Sequence, residues 1–133
     1  KTLEVVSFGT LSKLFCLFKD NRLKKQVARE FGRPQYTYLE SWIRCITVLR
    51  NCCAHHARIW NRRFALKPQL PNRLPLSWIA PTQKPIKLYH QLCTLLYMEQ
   101  TITPCMDLKN SLLRLFADYP NIDLHAMGFP QGW

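Results

Sequence analysis

The chain has 133 residues, enough for one domain with a single hydrophobic core and too few for two ordinary domains. Apolar residues make up 47% and charged residues 20%, which excludes a disordered tail, and no apolar run is long enough to cross a bilayer. Lys and Arg number 19 against 8 Asp and Glu, and a net charge of +11 favours a polyanionic partner, nucleic acid first. Because the chain has neither an initiator Met nor a signal peptide, we expect residues 1–133 to be a single domain cut from a longer protein.

The first third of the chain predicts two amphipathic helices. Apolar residues recur at helical spacing over 1–18, and Gly9 is expected to mark a close contact with another helix. Asp20 or Asn21 is a suitable N-cap for a second helix that runs to Phe31. The predicted inward residues of this helix are Leu23, Val27 and Phe31, and the predicted outer residues are Arg22, Lys24, Lys25 and Arg29.

The third helix has the clearest pattern. Thr37 and Glu40 have the spacing of a capping box, in which the two side chains bond reciprocally to backbone N–H groups at a helix start. Apolar residues then keep helical spacing to Asn61, which predicts a helix about 34 Å long at 1.5 Å per residue. We expect this helix to be the central element of the domain.

The second half of the chain predicts a loop and two further helices. Residues 64–85 contain five of the nine prolines and predict an extended loop that apolar side chains hold against the bundle. Helices are predicted over 85–100 and 103–118, the latter capped by Thr103 followed by proline. One short turn is expected in the tail before Gly128. The predicted class is all-α, a bundle of four to five helices with a Pro-rich loop after the long third helix.

Cysteine and histidine spacing does not favour a metal site. The six cysteines form no CxxC pair, and we interpret them as reduced, mostly buried thiols of a cytoplasmic protein. Cys52 with His55, or Cys53 with His56, has the i, i+3 spacing that would allow both to bind one ion. A closed zinc site needs four ligands, and the remaining Cys and His show no paired spacing. We therefore expect no metal and no cofactor.

Charge is distributed unevenly along the chain. Between Glu40 and Glu99 there are nine cationic residues and no anionic one. This segment therefore cannot supply a carboxylate-held Mg²⁺ site, a glycosidase carboxylate pair or an HExxH zinc site. A solvated basic face is the alternative to a nucleic-acid surface. The residues predicted to guide RNA are Arg58, Arg62, Arg63 and Lys67.

Three side chains of the third helix suit RNA cleavage. Asn51 and His55 are four residues apart and share one helix face, and the long side chain of Arg50 reaches towards His55. A neutral His can take the proton of a 2′-OH, which then attacks the adjacent phosphate. Arg can hold the phosphoryl oxygens as negative charge develops, and Asn can orient either partner. DNA lacks the 2′-OH, so this chemistry selects RNA. His56 lies about 100° around the helix from His55, and we expect its side chain to pack against other residues.

The Arg50-Asn51-x-x-x-His55 pattern resembles the R-N-x-x-x-H signature of HEPN domains, which are nucleotide-binding helical bundles. The wider context resembles the Abi_2 (AbiD/AbiF-like) abortive-infection proteins of bacteria. The stretches that carry this resemblance are Val6 to Ser12, Leu39 to Trp42, Leu49 to Arg62 and Met127 to Trp133. Members of that family have a further N-terminal region, so the resemblance implies that this chain is the C-terminal part of a longer protein.

The resemblance implies a metal-independent endoribonuclease in phage defence, with Arg50 and His55 catalytic and Asn51 assisting. HEPN nucleases usually pair two such motifs in a homodimer with a composite active site, and an antitoxin RNA or protein is a further expected partner. Cleavage needs a base and an acid, and one chain offers one well-placed His, which also favours the dimer. Two alternatives remain: a non-catalytic RNA-binding or toxin–antitoxin interaction module, and an interaction domain whose basic face meets an acidic protein. A membrane partner is not expected.

Overall fold

The computed structural model describes residues 7–32, 35–71 and 86–133. These residues form five α-helices and no strand, which confirms the predicted all-α class. The helices are α1 (Phe8–Leu17), α2 (Asn21–Glu30), α3 (Tyr36–Ala54), α4 (Leu88–Ile102) and α5 (Leu108–Asp118). A 3-10 helix at His125–Met127 is the short turn that was expected before Gly128. No helix among the described residues is long and apolar enough to cross a membrane.

The long helix α3 lies at the centre and contacts α1, α2 and α4, while α5 packs on α4. Two apolar clusters surround it. One lies at the N-terminal half of α3, where Leu39 and Trp42 are fully buried. The other lies at its C-terminal half, where Leu49 and Cys52 pack among residues of α4 and the C-terminal tail. The two clusters fix α3, and hence the residues at its C-terminal end, relative to the rest of the bundle.

The start of α1 and α2 follows local capping chemistry. The Ser7 hydroxyl accepts a hydrogen bond from the backbone N–H of Thr10, and the Asp20 carboxylate accepts one from the N–H of Arg22 at 2.8 Å. Gly9 faces α3, where an added Cβ would stand 3.6 Å from the Thr47 methyl group, so the expected close helix contact is present. Residues 1–6 of the predicted first helix lie outside the described residues.

The prediction of which α2 side chains face outwards was wrong at Lys24. Lys24 is only 6% exposed, whereas Leu23, predicted to face inwards, is 42% exposed. The Lys24 ammonium donates to the Glu40 carboxylate at 2.6 Å and to the Cys16 carbonyl at 2.9 Å. A buried ammonium is tolerated when it is paired in this way, so the apolar pattern alone misplaced the inner face of α2.

The same ion pair explains why the predicted capping box does not form. Helix α3 begins at Tyr36, with Gln35 as an N-cap that has no side-chain hydrogen bond. Thr37 therefore lies within the helix, and the Glu40 carboxylate binds Lys24 instead of a backbone N–H. Tertiary pairing with a residue of α2 has replaced the local bond that the sequence spacing suggested.

Helix α3 ends at Ala54 and not at the predicted Asn61, so its 19 residues span about 28 Å. The chain reverses in a Schellman motif. The N–H of His56 donates to the Cys53 carbonyl at 3.1 Å, and the N–H of Ala57 donates to the Cys52 carbonyl at 2.8 Å. His56 has a φ of 52°, the left-handed conformation that this motif requires and that His adopts more readily than most residues.

Packing of the reversed chain explains why helical periodicity misled the prediction here. Ala57 and Ile59 pack against the cluster that contains Cys52, so they are partly buried although they are not helical. Apolar residues at these positions are compatible with either a continued helix or a chain that folds back. The predicted burial of His56 was also wrong, because its side chain is exposed.

The described part of the Pro-rich segment, residues 64–71, is extended and held to the bundle, as predicted. The indole N–H of Trp42 donates to the Gln69 carbonyl at 2.6 Å, and the N–H of Gln69 donates to the Ser41 hydroxyl at 2.9 Å. Gln91 of α4 donates to the Leu66 carbonyl at 2.7 Å. The remainder of the predicted loop, 72–85, lies outside the described residues.

Helix α5 begins later than predicted. Thr103 and Pro104 belong to the turn before it, and the N-cap is Asp107, whose carboxylate accepts from the N–H of Asn110 at 3.0 Å. The Glu99 carboxylate of α4 accepts from the N–H of Leu108 at 3.1 and 3.2 Å. Two carboxylates thus satisfy the first N–H groups of α5 and fix its start, and the predicted end near Asp118 is confirmed.

Candidate active site at the end of α3

The three predicted catalytic residues lie together on the surface at the C-terminal end of α3. Arg50 and Asn51 are in its last turn, and His55 is its C-cap. The backbone N–H of His55 donates to the Asn51 carbonyl at 3.0 Å, so His55 keeps its helical position one turn beyond Asn51. All three side chains are exposed, so a ligand can reach them from solvent.

Arg50 and Asn51 are joined directly. One guanidinium nitrogen of Arg50 donates to the side-chain carbonyl of Asn51 at 3.2 Å. This bond uses one of the five N–H groups of the guanidinium and leaves the others available for an anion. No ion pair or side-chain hydrogen bond holds the His55 ring among the described residues.

The Arg50–Asn51 pair separates two surface cavities. Asn51 lines a recess of about 690 Å³ between α1 and α3, which Lys13 and Arg44 also line. Arg50 lines a groove of about 530 Å³ whose other walls are apolar side chains of α3, α4 and α5, together with Trp60. The recess beside Asn51 is lined by hydroxyl-bearing side chains and by Lys13 and Arg44, so it is the better suited of the two to phosphate groups. The sequence did not reveal that α1 contributes to it, although the expected contact at Gly9 was a signal.

The four predicted RNA-guiding cations are all exposed. They lie in the chain that follows α3 rather than along a continued helix, so they do not form a straight stripe. None of them has a carboxylate partner within the described ranges. Their positive charge therefore stays exposed to solvent. These residues are Arg58, Arg62, Arg63 and Lys67.

The cysteines divide between the core and the surface. Cys52 is buried in the apolar cluster beneath α3, whereas Cys53 is exposed. Burial raises the pKa of Cys45 to about 11 and that of Cys93 to about 12, so both thiols stay protonated at neutral pH. Residues 7–32, 35–71 and 86–133 contain no group of three or more His, Cys, Asp or Glu side chains placed to hold a metal ion.

Trp60 belongs to the apolar pattern that predicted a third helix running to Asn61, whereas the structure places it beyond the helix and on the surface. It is 43% exposed at the tip of a turn beyond the helix. The signal that could have located this turn is Asn61, which has a φ of 51° and belongs to the residue types that tolerate this conformation. Trp60 is thus an exposed aromatic side chain that lies between Arg58 and Arg62 in the sequence.

Comparison with known proteins gives a family match for the N-terminal part of the chain. Residues 1–61 match the Abi-like protein family. This match confirms the resemblance over residues 1–61, which we call the Abi-like region. The region contains α1, α2 and α3, and with them Arg50, Asn51 and His55. Arg62, Arg63 and the C-terminal stretch from Met127 lie beyond it. Searches of curated proteins and of solved structures found no match.

Proposed function

We propose that this chain is a metal-independent endoribonuclease of a bacterial abortive-infection system, with a HEPN-type active site. The observation that carries the proposal is the joint placement of Arg50, Asn51 and His55, exposed at one helix end and beside unpaired cations. The match of this region to the Abi-like family supports the biological setting.

The chemistry needs only groups that this chain possesses. Neutral His55 takes the proton of an RNA 2′-OH, and the 2′-oxygen attacks the adjacent phosphorus. The bond to the 5′-oxygen breaks, which leaves a 2′,3′-cyclic phosphate and a 5′-hydroxyl end. Arg50 stabilises the charge that develops on the phosphoryl oxygens, and Asn51 holds Arg50 through the bond described above.

A second acid–base group must protonate the departing 5′-oxygen. One chain offers His55 in the motif, whereas His56 adopts the left-handed conformation of the helix terminus and belongs to a different part of the turn. We therefore propose a homodimer in which two copies of His55 face one cleft. Its active site is shared between the chains, and RNA offsets the repulsion between the two basic surfaces.

The test of the catalytic role is RNA cleavage in the presence of EDTA, with DNA of the same sequence as the control substrate. His55→Ala should lower the cleavage rate by about 10²–10⁴-fold while RNA affinity changes little. Arg50→Lys should also lose most activity, because a point charge cannot replace the planar guanidinium. His56→Asn is the matched control: it removes a neighbouring exposed imidazole, tolerates the same φ and should cut RNA normally. Unchanged cleavage by His55→Ala would refute the catalytic assignment.

The shared active site has its own test. Wild-type and His55→Ala chains are mixed at varied ratios, and the cleavage rate is measured after exchange of subunits. If both His55 side chains of a dimer are needed, activity falls nearly as the square of the wild-type fraction. A linear fall would mean that each chain cuts alone.

A non-catalytic RNA-binding or toxin–antitoxin interaction module is the second candidate. It is favoured by the absence of any described side chain that orients the His55 ring, since catalytic bases are usually oriented by a third group. This candidate predicts that the wild-type chain binds RNA without cleaving it.

A further inference from the structure

A second recess lies beyond the C-terminal end of α3, and two exposed aromatic side chains line it. It has a volume of about 530 Å³ and is formed by Trp60 together with the segment that follows α5. Trp60 is 43% exposed and Tyr119 is 59% exposed. Among the described aromatic side chains, Phe116, Phe129 and Trp133 contact one another, whereas Trp60 and Tyr119 make no ring contact. Their ring faces are therefore available to a ligand.

Hydrogen-bonded turns hold the backbone at both aromatic residues. The N–H of Arg62 donates to the Ile59 carbonyl at 3.2 Å and closes a turn that presents Trp60. Lys87 fixes this turn, because its ammonium donates to the backbone carbonyl of Asn61 at 3.1 Å and to its side-chain carbonyl at 2.6 Å.

The second turn is closed by the N–H of Ile122, which donates to the Tyr119 carbonyl at 3.2 Å. Pro120 restricts its backbone. Ile59 and Ile122, one in each turn, pack against the same apolar cluster, which joins the two turns. A backbone that is fixed in this way loses little entropy when a ligand binds, which favours a binding role.

The polar groups of the recess indicate what kind of ligand it accepts. Asp118 and Asn121 line it beside the two aromatic rings. A carboxylate repels phosphate but accepts hydrogen bonds, and every nucleobase carries N–H donors along its edge. Exposed Arg58 and Arg62 flank Trp60 in sequence and suit the phosphates on either side of such a base.

We propose that this recess binds one unstacked nucleobase of single-stranded RNA, stacked on Tyr119 with Trp60 beside it. The proposal rests on RNA being the substrate of the site at the end of α3. It adds a base-binding subsite next to that site, since Trp60 also lines the groove that Arg50 borders. Bases in a duplex are already stacked on one another, so the subsite selects single strands.

The experiment measures affinity for a 12-nucleotide 2′-O-methyl RNA, which the proposed chemistry cannot cleave, as a single strand and as a duplex. Tyr119→Ala should weaken single-strand binding by roughly 5- to 100-fold, the range that the loss of one stacked base gives. Duplex binding should stay within about twofold, because it depends on the phosphates. Tyr119→Phe keeps the ring and should bind normally. Leu113→Ala is the matched control, since Leu113 is a 42% exposed apolar residue of α5 that lines neither cavity.

Tryptophan fluorescence gives a second measurement. A base stacked near Trp60 should quench its emission, and the quench should be lost in Trp60→Phe. Equal loss of single-strand and duplex affinity in Tyr119→Ala, or no loss, would overturn the base site. Cleavage of unmodified RNA is measured separately. If the wild type does not cut RNA but the selective loss is observed, the nuclease proposal fails and the base site stands. If the wild type cuts RNA and Tyr119→Ala binds single strands normally, the base site fails alone.

Discussion

His90 should make the fold sensitive to mild acid. It lies in the first turn of α4, is 8% exposed, and neither ring nitrogen has a hydrogen-bond partner among the described residues. Burial, together with the nearby positive charge of Lys67, lowers the pKa of His90 from 6.5 to about 4. The helix N-terminus disfavours the cation as well, because its N–H groups carry partial positive charge. Replacement by Leu removes both the unpaired nitrogens and the titration.

The magnitude follows from the difference between the folded and unfolded pKa. Well above pH 6.5 the ring is neutral in both states and contributes no pH dependence. As the pH falls from 6.5 towards 4, His90 is protonated in the unfolded chain but stays neutral in the folded chain. The free energy of unfolding therefore decreases. The loss reaches about 2 kcal/mol at pH 5 and levels off near 3 kcal/mol below pH 4, at 1.36 kcal/mol per pKa unit. That is a large part of the stability of a small domain.

The assay is urea unfolding followed by circular dichroism at pH 7 and pH 5 and at constant ionic strength. The free energy of unfolding of His90→Leu minus that of the wild type should increase by about 2 kcal/mol between these pH values. His56→Asn, which removes an exposed imidazole, should show no such increase. A parallel loss of stability in the wild type and His90→Leu would refute the reasoning. So would an NMR titration that gives the His90 ring its ordinary pKa.

Two further predictions concern the helix contacts that the sequence did not reveal. His56→Gly should raise the free energy of unfolding by about 1 kcal/mol in urea titrations, because Gly adopts the left-handed φ of 52° without a Cβ clash; destabilisation by Gly would argue against this conformation. Glu40→Ala should cost about 3 kcal/mol, since it leaves the Lys24 ammonium buried and unpaired, whereas the double variant Lys24→Met, Glu40→Leu should recover most of that loss. Equal stability of the single and double variants in thermal unfolding would contradict the role given to the ion pair.

Several features of this chain follow from short-range chemistry and could be predicted from the sequence. Asp20 caps α2 because its carboxylate reaches an N–H two residues away, whatever the rest of the fold does. The spacing of Asn51 and His55 places them on one face for the same reason. The exposure of Arg50, Asn51 and His55 agrees with a site that was predicted from residue types alone, although its catalytic role stays a prediction.

The features that the prediction missed depend on partners distant in sequence. The Glu40 carboxylate binds an ammonium from α2 instead of capping α3, and the Glu99 carboxylate helps to set the start of α5 at Leu108 in place of the local signal at Thr103. Glu40 had an acceptable local partner in the backbone at Thr37, and Thr103 offered an acceptable local cap for α5. The partner that each carboxylate binds is a charged or N–H group that only the folded chain brings within hydrogen-bond distance.

The end of α3 shows the same difference between local pattern and distant contacts, here for apolar residues. Helical spacing from Trp42 to Trp60 is compatible with one long helix, because hydrophobic burial is non-directional and does not prescribe how a residue reaches the core. Once α4 and the C-terminal tail form the cluster around Cys52, Ala57 and Ile59 can be buried by reversal of the chain at His56. That reversal makes His55 a helix terminus and exposes Trp60. The residue types of the candidate site were therefore readable from the chain, whereas its shape depends on packing between segments that are remote in sequence.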